Sequence, residues 1–494
     1  MRPGFDAGKY LTLQSGKIAE RMKEFGGKLY LEFGGKLFDD THACRVLPGF
    51  EPDSKVHMLL EMKDEAEIVI VISAWDIEQS KRRGDLGITY DQEALRLIDA
   101  FRAVGLYVGS VVVTHYARQE TAVQFIKRLG KQDIRIYRHY PIEDYPGNVP
   151  LILSGDGFGK NDYIETERRL VVVTAPGGGS GKMAVCLSQL YHEHQRGQTA
   201  GYAKYETFPV WDLPITHPVN LAYEAATADL GDAVMPDAFH QVAYNETAVS
   251  YNRDMEAFPV LLGMFKHILS ASPYKSPTNM GVNMISRCIT DDEAVSEAAR
   301  QEIIRRYYEA LCERRQGFGE LEAVQKIELM MSKVGVTTDA RPVVAAALKR
   351  SKQTKDEPAV ALELPDGSIV TGKTTPLLGA ASAALLKALK ELGGIPKDFA
   401  LIPPDIIEPI QRLKLNHMGN NNPRLHTDEI LIALAIQATN SPEAETAMEQ
   451  LGRLRDCEAH STVLLSRVDQ YTFQRLGVNL TCEPRYQTKK LYHK

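Results

Sequence analysis

Several short runs in the N-terminal part of the chain are apolar at almost every position. Three of them are EIVIVIS at 67–73, YVGSVVVTHY at 107–116 and LVVVTA at 170–175. A strand with one solvent-exposed face alternates apolar and polar residues, whereas a strand that is buried on both faces does not. Helical patterns such as DQEALRLIDAFRAVG at 91–105 separate these runs. The alternation predicts an α/β fold with a mostly parallel sheet between two layers of helices.

Two shorter patterns predict further strands. KLYLEFGGKLF at 28–38 has a Gly-Gly pair between apolar runs, which is typical of a strand, a turn and a second strand. VPLILS at 149–154 predicts a strand that ends near Asp156. In the first pattern, Lys36 and its polar neighbours offer an alternative, a second polar site near the sheet; those neighbours are Asp39, Asp40 and His42. The turn signal favours the plain hairpin.

The chain has 494 residues, too many for one hydrophobic core, and its patterns predict three domains. Residues 1–220 form the N-terminal α/β domain, and residues 221–350 form an all-α segment. A polar stretch, KRSKQTKDEP at 349–358, marks the next boundary. Residues 351–494 then form a second α/β domain, which begins with a hairpin on Asp366-Gly367 and a long helix.

A glycine-rich loop joins one apolar strand to a helix in VVVTAPGGGSGKMAV, at 171–185. Residues without a Cβ allow successive backbone N–H groups to turn toward an anion, and the helix N-terminus adds a positive dipole. The loop predicts a phosphate site made by Gly177, Gly178, Gly179, Ser180, Gly181 and Lys182. The alternative is a tight turn that is rich in glycine for packing alone. The serine and the lysine among four glycines favour phosphate binding.

A second lysine loop, GSIVTGKT at 367–374, fits the formal P-loop pattern better. Its interior is β-branched and suits a strand, so we expect a chance match within a hairpin. The glycine-rich loop departs from the pattern at Pro176 and at Met183, which replaces the hydroxyl residue that holds Mg²⁺. A nucleotide such as ATP is therefore one candidate ligand, and its magnesium site is in doubt.

The composition of the chain limits the classes of partner that we expect it to bind. The net charge of −6 provides no basic excess for nucleic acid, and no apolar run is long enough to span a membrane. Six scattered cysteines form no Cys-x-x-Cys pair, which predicts no metal site and is typical of a reducing cytosol. We expect a cytoplasmic homo-oligomer whose partner is a phosphorylated small molecule.

Three polar residues outside the glycine-rich loop are candidates for acid–base chemistry: Lys36, Asp156 and His426. His426 lies in the most polar loop of the C-terminal domain, NHMGNNNPRLHTDE at 416–429. Each has a plainer interpretation as a solvated or helix-capping side chain. The Ser-, Pro- and Asn-rich stretch 272–284 is either functional or a plain loop, and it offers Lys275, Asn279 and Asn283.

Longer motifs along nearly the whole chain resemble the bacterial uncharacterised protein family 0371. These motifs are YLEFGGKLFDDTHACRVLPGF, RGDLGITYD, YIETERRLVVVTAPGGGSGKMAVCLSQLYHE, THPVNLAYEAATADL, SPYKSPTNMGVNM, LHTDEILIAL and CEAHSTVLLS. The resemblance implies a cytosolic protein with an α/β domain at each end and a helical middle, and it implies no reaction. The stretch ALELPDGSIVTGKTTPLLGAASAALLKAL also resembles the hairpin-and-helix layout of deaminase-like folds, without their His-x-Glu and Pro-Cys-x-x-Cys elements.

Two functional hypotheses follow. The first is an enzyme that binds a phosphate-bearing ligand or nucleotide on 177–182 and catalyses a group-transfer or ligase-type reaction at an interdomain cleft. The second is a non-catalytic sensor or scaffold for a phosphorylated metabolite. Acid and base side chains opposite the loop favour the enzyme, and an apolar wall there favours the sensor.

Overall fold

The computed structural model describes residues 2–38, 40–83, 86–269 and 271–487. Contacts divide the chain into two units. The N-terminal unit contains Met1–Thr227 and Gly231–Ala299, and the C-terminal unit contains Ala228–Leu230 and Arg300–Lys494. The boundary at 299 falls inside helix α13 (Asp292–Gln316). The predicted division into domains 1–220, 221–350 and 351–494 stays a prediction.

A seven-stranded parallel sheet forms the centre of the N-terminal unit, as the uniformly apolar runs predict. The strands of this unit are β1 (Leu29–Phe33), β2 (Ala66–Ser73), β3 (Tyr107–Thr114), β4 (Arg135–Arg138), β5 (Leu170–Thr174), β6 (Gly201–Tyr205), β7 (Val234–Pro236), β8 (Val249–Tyr251) and β9 (Gly281–Val282). The sheet order is β4-β3-β2-β5-β1-β6-β9, and β7 pairs with β8 separately. Every residue of β1, β2 and β5 is buried, as a sheet covered on both faces requires.

Helices connect and cover these strands. They are α1 (Ala7–Glu24), α2 (Thr41–Val46), α3 (Ser54–Glu61), α4 (Ala74–Glu78), α5 (Tyr90–Ala103), α6 (Glu120–Gly130), α7 (Val149–Ile152), α8 (Lys182–Gln195), α9 (Pro218–Ala226), α10 (Ala238–Tyr244), α11 (Asn252–Ile268) and α12 (Pro277–Met280). One continuous core of aliphatic and aromatic side chains lies between them and the sheet.

The connections reverse direction between β5 and β1. After β1 the chain moves outward through β2, β3 and β4, whereas after β5 it crosses β1 to reach β6 and then β9. Because crossovers between parallel strands are right-handed, opposite directions place the connecting helices on opposite faces. In parallel sheets, the carboxyl ends of strands whose connections go to opposite faces are the usual position of a ligand.

Two predicted strands are absent, the second strand of 28–38 and the strand at 149–154. The stretch 28–38 contains β1 alone, since the Gly-Gly pair leads into α2 instead of a returning strand. The stretch 149–154 contains helix α7. Asn148 caps that helix by accepting from the backbone N–H of Leu151 at 3.2 Å, and Pro150 occupies its first turn. The middle of the chain is mainly helical and also contributes the short strands β7, β8 and β9.

The C-terminal unit has a four-stranded mixed sheet. Its strands are β10 (Ala359–Glu363), β11 (Ile369–Lys373), β12 (Glu458–Ser461) and β13 (Asn479–Cys482), in the order β11-β10-β12-β13. Its helices after α13 are α14 (Leu321–Val334), α15 (Pro342–Gln353), α16 (Ala380–Leu392), α17 (Pro404–Asn416), α18 (Thr427–Ala438), α19 (Pro442–Glu449) and α20 (Arg467–Arg475).

The second lysine loop is part of a hairpin in this unit. Strands β10 and β11 are antiparallel, and Gly367 adopts a φ of 82° in the turn between them. Lys373 is the last residue of β11, so the P-loop pattern at 367–374 has no strand–loop–helix geometry. The hairpin is followed by α16, which is the predicted layout. The predicted boundary 349–358 covers the end of α15 and the turn into β10.

Within the described ranges, no helix combines the length and the apolar character that a membrane span requires.

Candidate functional site

The glycine-rich loop lies at the carboxyl end of β5, which is the neighbour of β1 in the sheet. It leads directly into α8, whose first residue is Lys182. A hydroxyl from a more distant strand fastens the loop, because Thr114 at the end of β3 donates a 2.6 Å hydrogen bond to the Ser180 carbonyl. The loop therefore extends across the end of β2, which lies between β3 and β5.

The loop conformation requires glycine. Gly179 and Gly181 have φ values of 75° and 87°, in the left-handed region where a side chain is strained. A Cβ at Gly177 would collide with the Tyr90 ring. A Cβ at Gly178 or Gly179 would meet no atom within 4 Å, so this part of the loop borders open space. Backbone at these two positions is accessible to a ligand.

Two polar side chains of the loop lack partners in the described part of the chain. Lys182 makes no hydrogen bond or ion pair there, although its ammonium is largely withdrawn from water. Burial lowers the pKa of Lys182, Glu32 partly offsets this effect, and Lys204 adds to it. The buried Ser180 hydroxyl also has no hydrogen-bond partner. Because unpaired buried polar groups are costly, the Ser180 hydroxyl suits a polar ligand at this loop, and Lys182, which is partly exposed, is available to an anion.

A buried acidic cluster lies beside the loop, at the carboxyl ends of β1 and β6. Lys204 in β6 forms an ion pair with Glu206 at 2.7 Å and a second with Asp254 of α11. Glu32 in β1 accepts a 2.7 Å hydrogen bond from the Tyr202 hydroxyl. We call Glu32, Lys204, Glu206 and Asp254 the acid–base cluster.

Carboxylates outnumber the cation in this cluster. Burial raises the pKa of Glu206 to about 7, Lys204 opposes the rise, and Asp254 and Glu32 reinforce it. Burial acts to lower the pKa of Lys204, but Asp254 and then Glu206 and Glu32 outweigh it and raise that pKa. Lys204 therefore stays charged while Glu206 exchanges its proton near neutral pH. The Glu206 side chain is 15% exposed, and its Oε1, the atom nearest Lys204 Nζ, is buried.

The raised pKa of Glu206 predicts a pH-dependent stability. The pKa rises from 4.5 to about 7 on folding, so the folded chain holds a proton that the unfolded chain releases. Its stabilising contribution is complete below pH 4.5 and is lost as the pH rises through about 7. We expect Glu206→Gln to stabilise the N-terminal unit at pH 8 relative to pH 5 by about 2 kcal/mol, discounted for partial exposure. Denaturant unfolding at both pH values measures it, and an unchanged pH profile would contradict it.

An aromatic pair lies on the other side of the loop, at the carboxyl ends of β2 and β3. The ring of Trp75 stacks on His115 with centroids 4.0 Å apart and an interplanar angle of 8°. His115 directly follows Thr114, the residue that fastens the loop, and its Nδ1 shares a 3.1 Å hydrogen bond with the Ser73 hydroxyl. The loop is therefore flanked by aromatic rings on one side and by the acid–base cluster on the other.

Comparison with known proteins assigns the family. The profile "Domain of unknown function DUF1846, N-terminal" matches residues 3–335, and its C-terminal counterpart matches residues 339–492. A UPF0371 protein of Streptococcus equi subsp. equi (strain 4047) is 56% identical over 488 residues, which cover 99% of each chain. The chain belongs to the UPF0371 family. A UPF0371 protein of Streptococcus pyogenes serotype M28 (strain MGAS6180) is likewise 56% identical over 490 residues, again covering 99% of each chain.

The three catalytic candidates predicted for this UPF0371 chain belong to three different segments, two in the N-terminal unit and one in the C-terminal unit. Lys36 is exposed in the segment after β1, at the same sheet edge as the glycine-rich loop. Asp156 is also exposed, and it follows α7 instead of the predicted strand, so it does not lie at a strand end. His426 belongs to the C-terminal unit, where its Nδ1 donates to the Asp469 carboxylate at 3.0 Å. This hydrogen bond raises the pKa of His426.

The predicted segment 272–284 contains α12 and β9, so it is partly regular structure. Asn283 is buried and donates to the carbonyls of Thr207 and Pro209, both at 3.1 Å, which is a structural role. Lys275 lines an apolar cavity of about 810 Å³ between α10 and α11.

The sequence prediction did not identify the acid–base cluster as a site. Glu32 interrupts an apolar run, and Lys204 and Glu206 follow the glycine-rich loop within one crossover. Charged residues inside strand patterns were the available signal, because such residues are rarely buried without partners. Within the described ranges, no group of three or more His, Cys, Asp or Glu side chains has a metal-binding arrangement.

Proposed function

We propose that this protein binds a phosphate-bearing small molecule on Gly177–Lys182 and catalyses a group transfer from it. The observation that carries the proposal is the position of the unpaired Lys182 beside the acid–base cluster. An anion bound at the loop would neutralise Lys182 and accept from the N-terminal amides of α8. A sensor needs only that half of the site, whereas the adjacent proton-exchanging carboxyl favours an enzyme.

The loop with Lys182 suits the leaving phosphate of a transfer reaction, and the acid–base cluster suits the acceptor. The bond between the transferred group and a phosphate oxygen breaks, and the phosphate leaves with the electron pair while Lys182 and the loop amides stabilise its charge. The acceptor hydroxyl or amine forms the new bond and gives its proton to the Glu206 carboxylate. A pKa near 7 suits this role, because general bases work best when their pKa is close to the working pH.

Ligand screening by thermal shift is the first test. Inorganic pyrophosphate, phosphorylated metabolites and nucleotides are compared, and a ligand at 100 times its Kd should add about 2.7 kcal/mol of stability. Stabilisation by phosphorylated compounds and not by their dephosphorylated forms is the expected result. If no phosphorylated compound stabilises the chain, the proposal is wrong.

Turnover then separates the enzyme from the sensor. We expect wild-type protein to convert a stabilising ligand when acceptor hydroxyls or amines are supplied. Glu206→Gln should keep ligand affinity within about twofold and lower kcat by about 10²–10⁴-fold, the usual contribution of general acid–base catalysis. The matched control is Glu20→Gln on the exposed face of α1, which should leave kcat unchanged. A ligand that binds tightly and is never converted would favour the sensor.

A further inference from the structure

We infer that Trp75, stacked on His115, is the surface on which the nucleobase of the ligand lies, so the phosphate-bearing ligand is a nucleotide. The inference rests on the proposed phosphate site and adds the class of the ligand. It comes from three observations: where the pair lies, how much of Trp75 is open, and how firmly the pair is held.

The residue that precedes His115 contacts the phosphate loop directly. His115 follows Thr114, whose hydroxyl donates to the Ser180 carbonyl at 2.6 Å. A Cβ at Gly181 would lie 3.4 Å from the Thr114 methyl, so the loop and the end of β3 are in van der Waals contact. Trp75 comes two residues after β2, the strand that the loop crosses. A ligand with its phosphates on the loop therefore has the aromatic pair beside it.

Trp75 is the more exposed residue of the stacked pair. Trp75 is 48% exposed, although its ring lies parallel to His115 at 4.0 Å. Covering an exposed aromatic ring with another apolar surface is favourable, because it removes apolar area from water. Every nucleobase has a flat π-face that can stack on such a ring. The stack of two rings can thus be extended by a third, the base.

The pair is also held in place. The Ser73 hydroxyl contacts both partners, since it accepts from the Trp75 backbone N–H at 3.2 Å and shares a hydrogen bond with His115 Nδ1. His115 has a φ of 50°, an uncommon value for a residue with a side chain, and such strain is concentrated at functional sites. A preorganised ring loses little entropy when a base stacks on it.

Calorimetry with matched probes tests the inference. Four ribonucleoside diphosphates, those of adenine, guanine, cytosine and uracil, are compared with inorganic pyrophosphate, with and without Mg²⁺. At least one diphosphate should bind about 5- to 150-fold more tightly than pyrophosphate, the range for one base stacked on an aromatic ring. Trp75→Ala should remove this advantage and leave pyrophosphate affinity unchanged.

Fluorescence supplies an independent readout, because the chain has two tryptophans, Trp75 and Trp211. The Trp211 indole donates to the Asn283 carbonyl at 3.2 Å, away from the stack. In the Trp211→Phe variant, the nucleoside diphosphate that binds most tightly should quench Trp75 emission, whereas pyrophosphate should not. Trp211→Phe should also keep the wild-type affinities, which makes it the control for Trp75→Ala.

The outcomes distinguish the proposed phosphate site from the inferred base-stacking surface. If pyrophosphate binds and no diphosphate binds more tightly, the phosphate site stands and the base surface is wrong. A sugar phosphate such as glucose 1-phosphate that gains affinity through Trp75, when the diphosphates do not, would also overturn the inference. If pyrophosphate, the diphosphates and every other phosphorylated compound of the thermal-shift screen fail to bind, both the proposed function and the inference are wrong.

Discussion

Replacing Lys182 with alanine is expected to weaken pyrophosphate binding by about 1.5–3 kcal/mol, the range for a hydrogen bond to a charged group. Lys182 is the first residue of α8, so its charge and the helix dipole act on the same point. It makes no ion pair within the described ranges that would have to break, and burial lowers its pKa by more than Glu32 offsets. A bound phosphate would supply a compensating anion. Isothermal titration calorimetry measures the loss.

The matched control is Lys373→Ala, in the loop that fits the formal P-loop pattern. Lys373 ends strand β11 of a hairpin, so no helix dipole or inward amides act with it. Its removal should change pyrophosphate affinity by less than about 0.5 kcal/mol, as for a peripheral surface substitution. Loss of binding in Lys373→Ala but not in Lys182→Ala would assign the anion to the hairpin and reduce the glycine-rich loop to a turn.

Lys204→Met should have the largest effect on stability. Lys204 is the cation that pairs with Glu206 and Asp254, so its removal leaves two carboxyls without their ion-pair partner. Removing one partner of a buried ion pair costs about 3–5 kcal/mol, and we expect a loss of this size for the N-terminal unit at pH 8. The loss should shrink at pH 5, because Glu206 is then protonated in the folded chain. Denaturant unfolding at the two pH values measures both effects.

Lys17→Met is the control for that experiment. Lys17 also makes an ion pair, with Glu20 at 2.8 Å, but the two side chains are 33% and 57% exposed. Exposed pairs contribute little because water screens them, so this variant should lose less than about 1 kcal/mol. Equal losses in the two lysine variants would show that the acid–base cluster is not a tightly coupled buried group.

The parallel sheet could be predicted from sequence because burial on both faces leaves a local signature. Strands β2 and β5 are uninterrupted apolar runs, and the structure buries every residue of both. The glycine-rich loop is also a local pattern, since the left-handed conformations at Gly179 and Gly181 are ones that glycine adopts readily. The formal P-loop match at 367–374 is the opposite case, because its sequence fits the motif but its backbone forms a hairpin instead of a P-loop.

The acid–base cluster could not be predicted in the same way, because its members are distant in sequence. Lys204 meets Asp254 across 50 residues, and sheet order alone brings Glu32 of β1 beside β6. The hairpin predicted at 28–38 was wrong for a related reason. A Gly-Gly pair indicates a turn, but a tertiary contact decided where the chain continued: the Gly34 N–H donates to the Tyr205 carbonyl at 3.0 Å and aligns this segment with β6.

The stacked pair of Trp75 and His115 illustrates the same limit. Trp75 follows β2 and His115 follows β3, and neither residue lies in a recognisable sequence motif. Only the parallel pairing of β2 with β3 places Ser73 opposite Thr114 and brings the following residues together. Sequence patterns thus predict a phosphate site at the loop, whereas the groups proposed to select the ligand and to transfer protons could be found only from the sheet order.

Anomalous diffraction from crystals soaked in tungstate, a heavy tetrahedral analogue of phosphate, tests the central claim most directly. The account predicts a tungsten peak beside Gly178 and Gly179, with oxygens about 2.7–3.2 Å from Lys182 Nζ and from the first amides of α8. The peak should disappear in Lys182→Ala crystals and persist in Lys373→Ala crystals. Tungsten at other positions only, with this loop empty at concentrations that displace bound pyrophosphate, would contradict the account.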